Sequence, residues 1–342
     1  MVDPAPAHPH PYDALTPDLI LDCVEKTGLR CDGRLQPLNS FENRVYQVGI
    51  DEGQPVIAKF YRPARWSPAA IGEEHAFALE LAHAELPVVA PLAFGDSGAT
   101  LLEHAGFLFA LYPRQPGRAP EFDQPDTLSW MGRFIGRIHA IGGLHAFAQR
   151  PTLDVRSFAE EPSNLVMSGG FIPDDLRPAY EALASQLIVQ LHACFERAGD
   201  VRHIRLHGDC HGGNVLWDAQ GPHFVDLDDA RNGPAVQDLW MLLSGDRAAM
   251  EQQLDIVLAG YREFCDFDVR EVQLIEALRT LRIMHYAGWL ASRWDDPAFP
   301  RSFPWFNTQR FWQDHILALR EQLALMQEEP LEYRGAEKNG NV

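Results

Sequence analysis

The chain has 342 residues, 46% of them hydrophobic and 23% charged, a composition typical of a globular protein large enough for two domains. Its formal net charge of -19 would repel the phosphate backbone of a nucleic acid and an anionic membrane surface, so we expect neither as a partner. The five cysteines form no Cys-x-x-Cys pair, and no stretch reaches the roughly 18 apolar residues of a membrane span, which favours a reduced, cytoplasmic protein.

The first third of the chain has mainly the alternating pattern of strands. Prolines at every second or third position predict a flexible tail over residues 1–15. Beyond this tail, period-two alternation predicts strands, and one internal segment has helical periodicity. The predicted elements are a helix at 16–23, strands at 35–48 and 55–60, a helix at 68–83, and strands at 88–94 and 106–111. We therefore predict a strand-rich N-terminal lobe over residues 16–112.

Helical periodicity dominates beyond Pro113. We place the boundary between the two lobes near residues 112–117, so that the second lobe covers residues 113–332. The polar residues 333–342 are expected to form a flexible, frayed terminus. The predicted helices are 128–141, 175–198, 236–243, 251–264, 271–292 and 311–327, and the predicted short strands are 203–206, 214–217 and 224–227.

The strongest chemical signal is His207-Gly208-Asp209, followed five residues later by Asn214 and then by Asp226 at the end of a short apolar strand. Phosphoryl transfer needs a carboxylate that orients the attacking hydroxyl or accepts its proton, and an amide oxygen and a second carboxylate that hold Mg²⁺. Asp209, Asn214 and Asp226 match these roles. A His-x-Asp tripeptide alone is usually a turn, but the spacing to Asn214 favours the catalytic interpretation.

A second signal is the apolar strand Val56-Ile57-Ala58-Lys59, whose single lysine is suited to hold the α- and β-phosphates of ATP. A glutamate on the next helix usually fixes such a lysine by ion pairing. Glu73 and Glu74 both qualify, and we favour Glu74. Taken singly, these residues would be a surface lysine and a solvated helix face, so only their joint order indicates a nucleotide site.

In this order, the motifs resemble the aminoglycoside-phosphotransferase-like branch of the protein-kinase superfamily, and within it the bacterial stress-response Ser/Thr protein kinases. This resemblance extends along nearly the whole chain. It implies an α+β, bilobal protein-kinase-like fold with an N-terminal antiparallel sheet plus one helix and a mainly helical C-terminal lobe. The segments that carry it are 38–46, 56–63, 207–214, 224–234, 293–294, 299–300 and 303–305.

The resemblance also implies a function, namely transfer of the γ-phosphate of ATP to a Ser or Thr hydroxyl of a protein, with ATP and Mg²⁺ as cofactors. Asp238 resembles the buried aspartate that holds the catalytic loop in this superfamily. The implied catalytic residues are Asp209, Lys59 and Asp226; the implied nucleotide-binding residues are Ser40, Asn43, Lys59 and Glu74; the implied metal ligands are Asn214 and Asp226.

The sequence departs from a typical protein kinase in two places. Leu38, Ser40 and Asn43 occupy the positions of the phosphate-loop glycines, so that loop would depend on backbone N–H groups and the Ser40 hydroxyl. Only eleven residues separate Asp226 from Asp238, which leaves little room for an activation segment. Switching by phosphorylation of such a segment is therefore not expected.

Two other functions remain open at this point. The short segment after Asp226 and the acidic composition also fit a small-molecule kinase that acts on a cationic alcohol. The glycine-free loop fits a nucleotide-binding module without turnover, although the intact catalytic motif argues against it. Of the remaining residues in the motif, His207 is expected to brace the loop, and His211 could brace it or approach the acceptor, with bracing favoured. Cys210 could be a redox-sensitive thiol, but the nearby carboxylates would oppose thiolate formation, so buried filler is favoured.

Overall fold

The computed structural model describes residues 11–335, which divide into two units between Pro116 and Gly117. Unit 1 contains an antiparallel sheet with a helix between its third and fourth strands, and unit 2 is mainly helical. The predicted fold class is therefore confirmed. No helix in the described range is both long enough and apolar enough to cross a membrane.

The sheet of unit 1 has five strands in the order β1-β2-β3-β5-β4, with every neighbouring pair antiparallel. Because side chains alternate between the two faces of a strand, Val56, Ala58 and Phe60 of β3 lie on one face and join a buried core with helix α1. Lys59 points to the opposite face. The strands are β1 Cys31–Pro37, β2 Arg44–Ile50, β3 Val56–Phe60, β4 Leu102–His104 and β5 Phe107–Pro113, and α1 is Pro17–Glu25.

Helix α2 (Pro68–His83) covers that opposite face, and the predicted bounds are confirmed. Ser67 caps its beginning by accepting the backbone N–H of Ala70 at 3.1 Å, and Pro68 occupies the first turn, where no N–H is needed. Ile71 of α2 packs with Ala110 of β5, and Ala110 is the register partner of Lys59. The strand register therefore directs Lys59 toward α2.

Some predictions for unit 1 were wrong. Residues 35–48 form two strands joined by the loop 38–43, and residues 88–94, which include Pro91, form no regular strand. The flexible tail expected over 1–15 does not extend to its end, because Tyr12 is buried and its hydroxyl donates to the Phe60 carbonyl at 3.2 Å. Residues 1–10 lie outside the described residues.

Unit 2 is organised around a close crossing of α3 and α6. A Cβ on Gly132 of α3 would lie 2.1 Å from the carbonyl oxygen of Val257, and one on Gly260 of α6 would lie 2.4 Å from that of Ser129. Only glycine allows the two backbones to approach this closely. The helices of unit 2 are α3 Pro125–Gly142, α4 Glu161–Ser168, α5 Arg177–Ala198, α6 Arg247–Tyr261, α7 Ile275–Ser292, α8 Ala298–Ser302 and α9 Gln309–Leu325.

Short strands in unit 2 form two antiparallel pairs, β6 with β9 and β7 with β8. The strand predicted at 224–227 instead ends at Phe224, and a turn follows it. Strand β9, which the sequence pattern did not predict, completes the first pair. The strands are β6 Ile204–Leu206, β7 Val215–Asp218, β8 Gly221–Phe224 and β9 Arg231–Gly233.

Three further predictions for unit 2 were wrong in whole or in part. The helix predicted at 236–243 is a pair of short 3₁₀ turns, and the one at 271–292 begins with a 3₁₀ segment before α7. The backbone N–H of Val236 donates to the buried Glu271 carboxylate at 2.8 Å, at the start of the first turn, where an N–H has no partner within the helix. Residues 333–335 are not frayed, since Arg334 donates to Asp255 at 3.0 Å, whereas 336–342 lie outside the described residues.

Candidate active site

The carboxylate of Asp238 anchors the loop that follows β6. Its Oδ2 accepts the backbone N–H of His207 at 2.8 Å, and its Oδ1 accepts that of Gly208 at 2.9 Å. Gln237 adds a bond from its side-chain amide to the Gly208 carbonyl at 3.1 Å. Because Asp238 is almost fully buried, these bonds are shielded from water and fix the loop firmly.

Asp238 is in turn fixed by His139 of α3, whose Nε2 lies 3.0 Å from Oδ2 of Asp238. Nδ1 of His139 lies 3.0 Å from the hydroxyl of Tyr261 on α6. Since a carboxylate can only accept, Nε2 carries the imidazole proton and Nδ1 accepts from the tyrosine. The glycine-mediated crossing of α3 and α6 therefore places the two partners that orient Asp238.

Gly208 brings the loop against the segment that follows Asp226. Its φ is +87°, and a Cβ at this position would lie 2.1 Å from the carbonyl oxygen of Asp229. His207 makes a second link, because its Nε2 lies 2.9 Å from the Val225 carbonyl oxygen. His207 thus braces the loop, and Cys210 is buried, with burial raising the pKa of its thiol well above its usual range.

Asp209 emerges from this loop with a partly exposed carboxylate. Its Oδ1 forms an ion pair with Arg282 of α7, and its Oδ2 lies 3.3 Å from Nε2 of His211. Burial raises the pKa of Asp209, but the hydrogen bond from His211 and the charge of Arg282 outweigh it and lower that pKa below its ordinary value. Asp209 is therefore ionised at neutral pH and able to accept a hydrogen bond from a hydroxyl.

Asn214 is held against Asp209 by its amide group. Nδ2 donates to the Asp209 carbonyl at 2.9 Å and faces Oδ2 of Asp209 at 3.4 Å. This orientation leaves the amide oxygen as the group that can bind a cation. His211 stabilises the same turn, because its Nδ1 accepts the Gly213 N–H at 2.9 Å.

Asp226 is exposed and lies just beyond the end of β8. It adopts the left-handed backbone region, with φ of 59° and ψ of 65°, a conformation that costs a non-glycine residue about 1 kcal/mol and is common at functional sites. The adjacent Val225 donates its N–H to the Asn214 carbonyl at 3.0 Å. Asp226 therefore directly follows Val225, which forms hydrogen bonds with both His207 and Asn214.

The turn after Asp226 is clamped by a buried arginine. Arg150 donates through Nε to the Ala230 carbonyl at 2.8 Å and through Nη2 to the Asp228 carbonyl. Arg231 forms an ion pair with Asp229 at 2.9 Å. These cations satisfy backbone carbonyls and offset charge where several aspartates crowd together.

In unit 1, Nζ of Lys59 lies 3.8 Å from Oε1 of Glu74, and both side chains are buried. The ring of Tyr61 lies beneath the ammonium, 5.1 Å from centroid to Nζ. The hydroxyl of Tyr61 contacts Nε2 of His75 at 2.7 Å. Of the two glutamates considered, Glu74 is thus the one that pairs with Lys59.

The glycine-free loop 38–43 is held by Arg62. The Arg62 guanidinium forms an ion pair with Glu42 at 3.0 Å and donates to the Glu42 carbonyl at 3.0 Å. Asn43 is buried, and its Oδ1 accepts the Arg62 N–H at 3.1 Å. Asn43 therefore braces the loop, and the nucleotide contact predicted for it stays a prediction. Ser40 lies partly exposed in the loop.

Sequence reasoning missed Arg282, His139 and Arg150. Arg282 and His139 lie far along the chain from the motif they contact, within helices whose pattern gives no indication of that role. One signal did exist for Arg282, because residues 277–294 contain three arginines and no carboxylate within an otherwise acidic chain.

Comparison with known proteins gives a consistent result. A model of the phosphotransferase enzyme family (APH) matches residues 34–275. "Stress response kinase A" of Escherichia coli (strain K12) is 46% identical over 321 residues, which cover 94% of this chain and 96% of that protein. "Serine/threonine protein kinase RdoA" of Salmonella typhimurium is 44% identical with the same coverage. The resemblance inferred from the motifs is confirmed.

Solved structures with a similar fold are more distant in sequence. Amicoumacin kinase hAmiN, solved with AMP-PNP, Ca²⁺ and Ami, has a TM-score of 0.68 at 20% identity and covers 91% of this chain and 94% of its own. A microcompartment-associated aminopropanol kinase has a TM-score of 0.65 at 17% identity, and the match covers 91% of this chain and 97% of that protein's chain. At these identities the likeness concerns the fold.

Proposed function

This chain belongs to the phosphotransferase enzyme family, and from that premise we propose that it is a Mg²⁺-dependent kinase of Ser and Thr hydroxyls in proteins. It is an enzyme, an ATP-dependent phosphotransferase. The choice of a protein acceptor is supported by the relative named as a serine/threonine protein kinase, which is 44% identical over nearly its whole length. The role in the stress response is likewise proposed from the names of such relatives.

In the proposed mechanism, Asp209 orients the acceptor hydroxyl and accepts its proton as the oxygen attacks the γ-phosphate. Asp209 is ionised, and both of its oxygens have lone pairs beyond those used by Arg282 and His211. The anchoring of the loop by Asp238 fixes the direction of the carboxylate before substrate arrives. Positioning of this kind is the main contribution of a protein to phosphoryl transfer.

Asn214 and Asp226 are the proposed Mg²⁺ ligands. Mg²⁺ takes one or two protein oxygens and completes its shell with phosphates and water. The amide oxygen of Asn214 and the exposed carboxylate of Asp226 supply that donor set. When bound, Mg²⁺ would offset negative charge on the phosphates.

Lys59 is the proposed ligand of the α- and β-phosphates. Its ammonium is held by Glu74 and by the face of Tyr61, so its position is set before the nucleotide binds. Ser40 is the proposed nucleotide contact of the loop 38–43, which Arg62 and Asn43 hold in shape without glycine. A cytoplasmic location would give the enzyme access to ATP.

The observation that carries this proposal is the ionised Asp209 beside Asn214 on a loop fixed by a buried carboxylate. The test is incubation with labelled ATP, Mg²⁺ and a dephosphorylated Ser/Thr-containing protein, comparing wild type with Asp209→Asn and with Asp314→Asn, an exposed control on α9. Wild type and control should label the protein, and Asp209→Asn should be slower by about 100-fold or more. Labelling that survives in Asp209→Asn would overturn the mechanism.

A small-molecule kinase is the second candidate, favoured by the short connection between Asp226 and Asp238, which leaves little protein to support a polypeptide substrate. The same labelled incubation with a cell extract separates the two. Phosphate that appears on a metabolite but never on a protein would favour this candidate.

A further inference from the structure

A cation lies directly beside the proposed proton acceptor. Arg282 of α7 forms an ion pair with Oδ1 of Asp209, and 43% of its side chain is exposed. A guanidinium has five N–H donors. Apart from its bond to Asp209, no other hydrogen bond of this guanidinium occurs among residues 11–335. Arg282 therefore presents both charge and donors to any molecule that reaches Asp209.

The carboxylate of Glu276, in the first turn of α7, pairs with Arg279 at 3.5 Å. From residue 277 to residue 294, α7 and its continuation contain three arginines, three tryptophan or tyrosine residues, and no Asp or Glu. One turn beyond Arg282 lies Tyr286, whose side chain is also partly exposed. The charged side chains of residues 277–294 are thus arginines, whereas the net charge of the whole chain is negative.

An acceptor hydroxyl that donates to Asp209 must come close to this guanidinium. A positive group next to that hydroxyl would be repelled at short range, whereas a carboxylate or phosphate there could form a charge-assisted hydrogen bond with Arg282. The repulsion expected from the chain's net charge acts at longer range and is screened beyond about 8 Å at physiological salt. The local contact therefore decides the selectivity.

We propose that Arg282 makes this enzyme selective for Ser or Thr hydroxyls flanked by an acidic residue. The inference rests on the proposed function, since it assumes that Asp209 receives the acceptor hydroxyl. It also opposes the cationic alcohol that the short segment after Asp226 and the acidic composition suggested. An acidic flank should raise kcat/KM by about 2- to 5-fold over an uncharged one, the effect of a single partly exposed charge pair.

The test uses three peptides of one length that differ only beside the acceptor Ser, which carries Glu, Gln or Lys on both sides. The ratio of kcat/KM between peptides is measured at saturating Mg-ATP, so that any general loss of activity cancels. The enzymes are wild type, Arg282→Gln, Arg282→Lys and the control Arg310→Gln, which removes the same charge from an exposed site on α9. Thermal unfolding verifies that each variant is folded, and Arg282→Lys keeps the test valid if Arg282→Gln is unstable.

Wild type and Arg310→Gln should prefer the Glu peptide, Arg282→Lys should keep most of that preference, and Arg282→Gln should reduce it to about one. An unchanged ratio in Arg282→Gln, or a wild-type preference for the Lys peptide, would overturn the inference. A higher KM for ATP in Arg282→Gln, with the peptide ratio unchanged, would mean that Arg282 contacts the nucleotide, which also contradicts it.

A second arm separates this inference from the proposed function. The wild-type enzyme is offered a β-hydroxy carboxylate and an amino alcohol in place of the peptides. Transfer to peptides without an acidic preference would refute only the role of Arg282. Transfer to the amino alcohol and to no peptide would refute the protein-kinase function and the role of Arg282 together.

Discussion

The Nε2 of His139 and Oδ2 of Asp238 lie 3.0 Å apart, and both side chains are excluded from solvent. Asp238 in turn fixes the loop that follows β6, because the backbone N–H groups of His207 and Gly208 donate to its two oxygens. His139 and Asp238 touch neither the proposed acceptor position nor any proposed metal ligand in the described structure. They are positioning residues, and their loss should affect stability and activity together.

Replacing Asp238 with Ala should lower the free energy of unfolding by about 3 kcal/mol, because it leaves two buried backbone N–H groups without an acceptor. Urea denaturation measures this change. Asp238→Asn keeps one acceptor oxygen and should lose less. Asp314→Ala removes an exposed carboxylate on α9 and should change stability by less than about 0.5 kcal/mol. If Asp238→Ala were as stable as Asp314→Ala, the anchoring role would be wrong.

Adjacent glutamates on α2 offer a matched pair of substitutions. Glu74→Gln leaves the buried ammonium of Lys59 without its carboxylate, so kcat/KM for ATP should fall by about 10-fold or more. Glu73→Gln removes the same charge one residue earlier, from a partly exposed side chain, and should change that value by less than about 2-fold. Steady-state kinetics with varied ATP measure both.

Equal losses in the two variants would mean that general charge on α2, and not the ion pair with Lys59, supports nucleotide binding. Lys59→Met should give the largest loss in kcat/KM for ATP, since it removes the proposed phosphate ligand itself. Its loss in kcat/KM should therefore exceed that of Glu74→Gln.

The sequence predicted the direction of Lys59 and the bounds of helix α2 correctly, because local patterns determine both. Lys59 faces α2 because strand alternation requires it, and α2 begins and ends where its cap and periodicity indicate. By contrast, the contact between Arg282 and Asp209 joins residues 73 positions apart, and no local pattern encodes it. The left-handed backbone of Asp226 was equally unpredictable, because tertiary bonds to its neighbours hold it there. The helix predicted at 236–243 forms two 3₁₀ turns instead, and Glu271, 35 residues away, accepts the Val236 N–H at the start of the first.

Gly208 should not tolerate a side chain. Its φ of +87° strains any L-residue, and a Cβ would meet the Asp229 carbonyl oxygen at 2.1 Å. Gly208→Ala should therefore push the loop away from the segment after Asp226 and reduce kcat by about 100-fold. Gly72→Ala is the control, since its Cβ would meet no atom within 4 Å and alanine favours a helix. Full kcat in Gly208→Ala would show that this close contact is not needed.

Buried Glu271 predicts a pH dependence of stability. Burial is the main cause that raises its pKa to about 7, and the hydrogen bond from the Val236 N–H offsets this only in part. Between its ordinary value in the unfolded chain and about 7, the folded state binds a proton that the unfolded state has released. The contribution of Glu271 to the free energy of unfolding therefore falls as pH rises from the ordinary pKa of a glutamate to about 7, and it is constant above that pH.

Glu271→Gln should remove this contribution, because the amide is neutral at every pH and keeps an oxygen for the Val236 N–H. The difference in unfolding free energy between variant and wild type should grow by about 2 to 3 kcal/mol in favour of the variant between pH 5 and pH 8. Urea denaturation at several pH values measures it, and the subtraction cancels the titration of groups common to both. A difference that stays constant with pH would mean that Glu271 titrates at the same pH in the folded and unfolded chains.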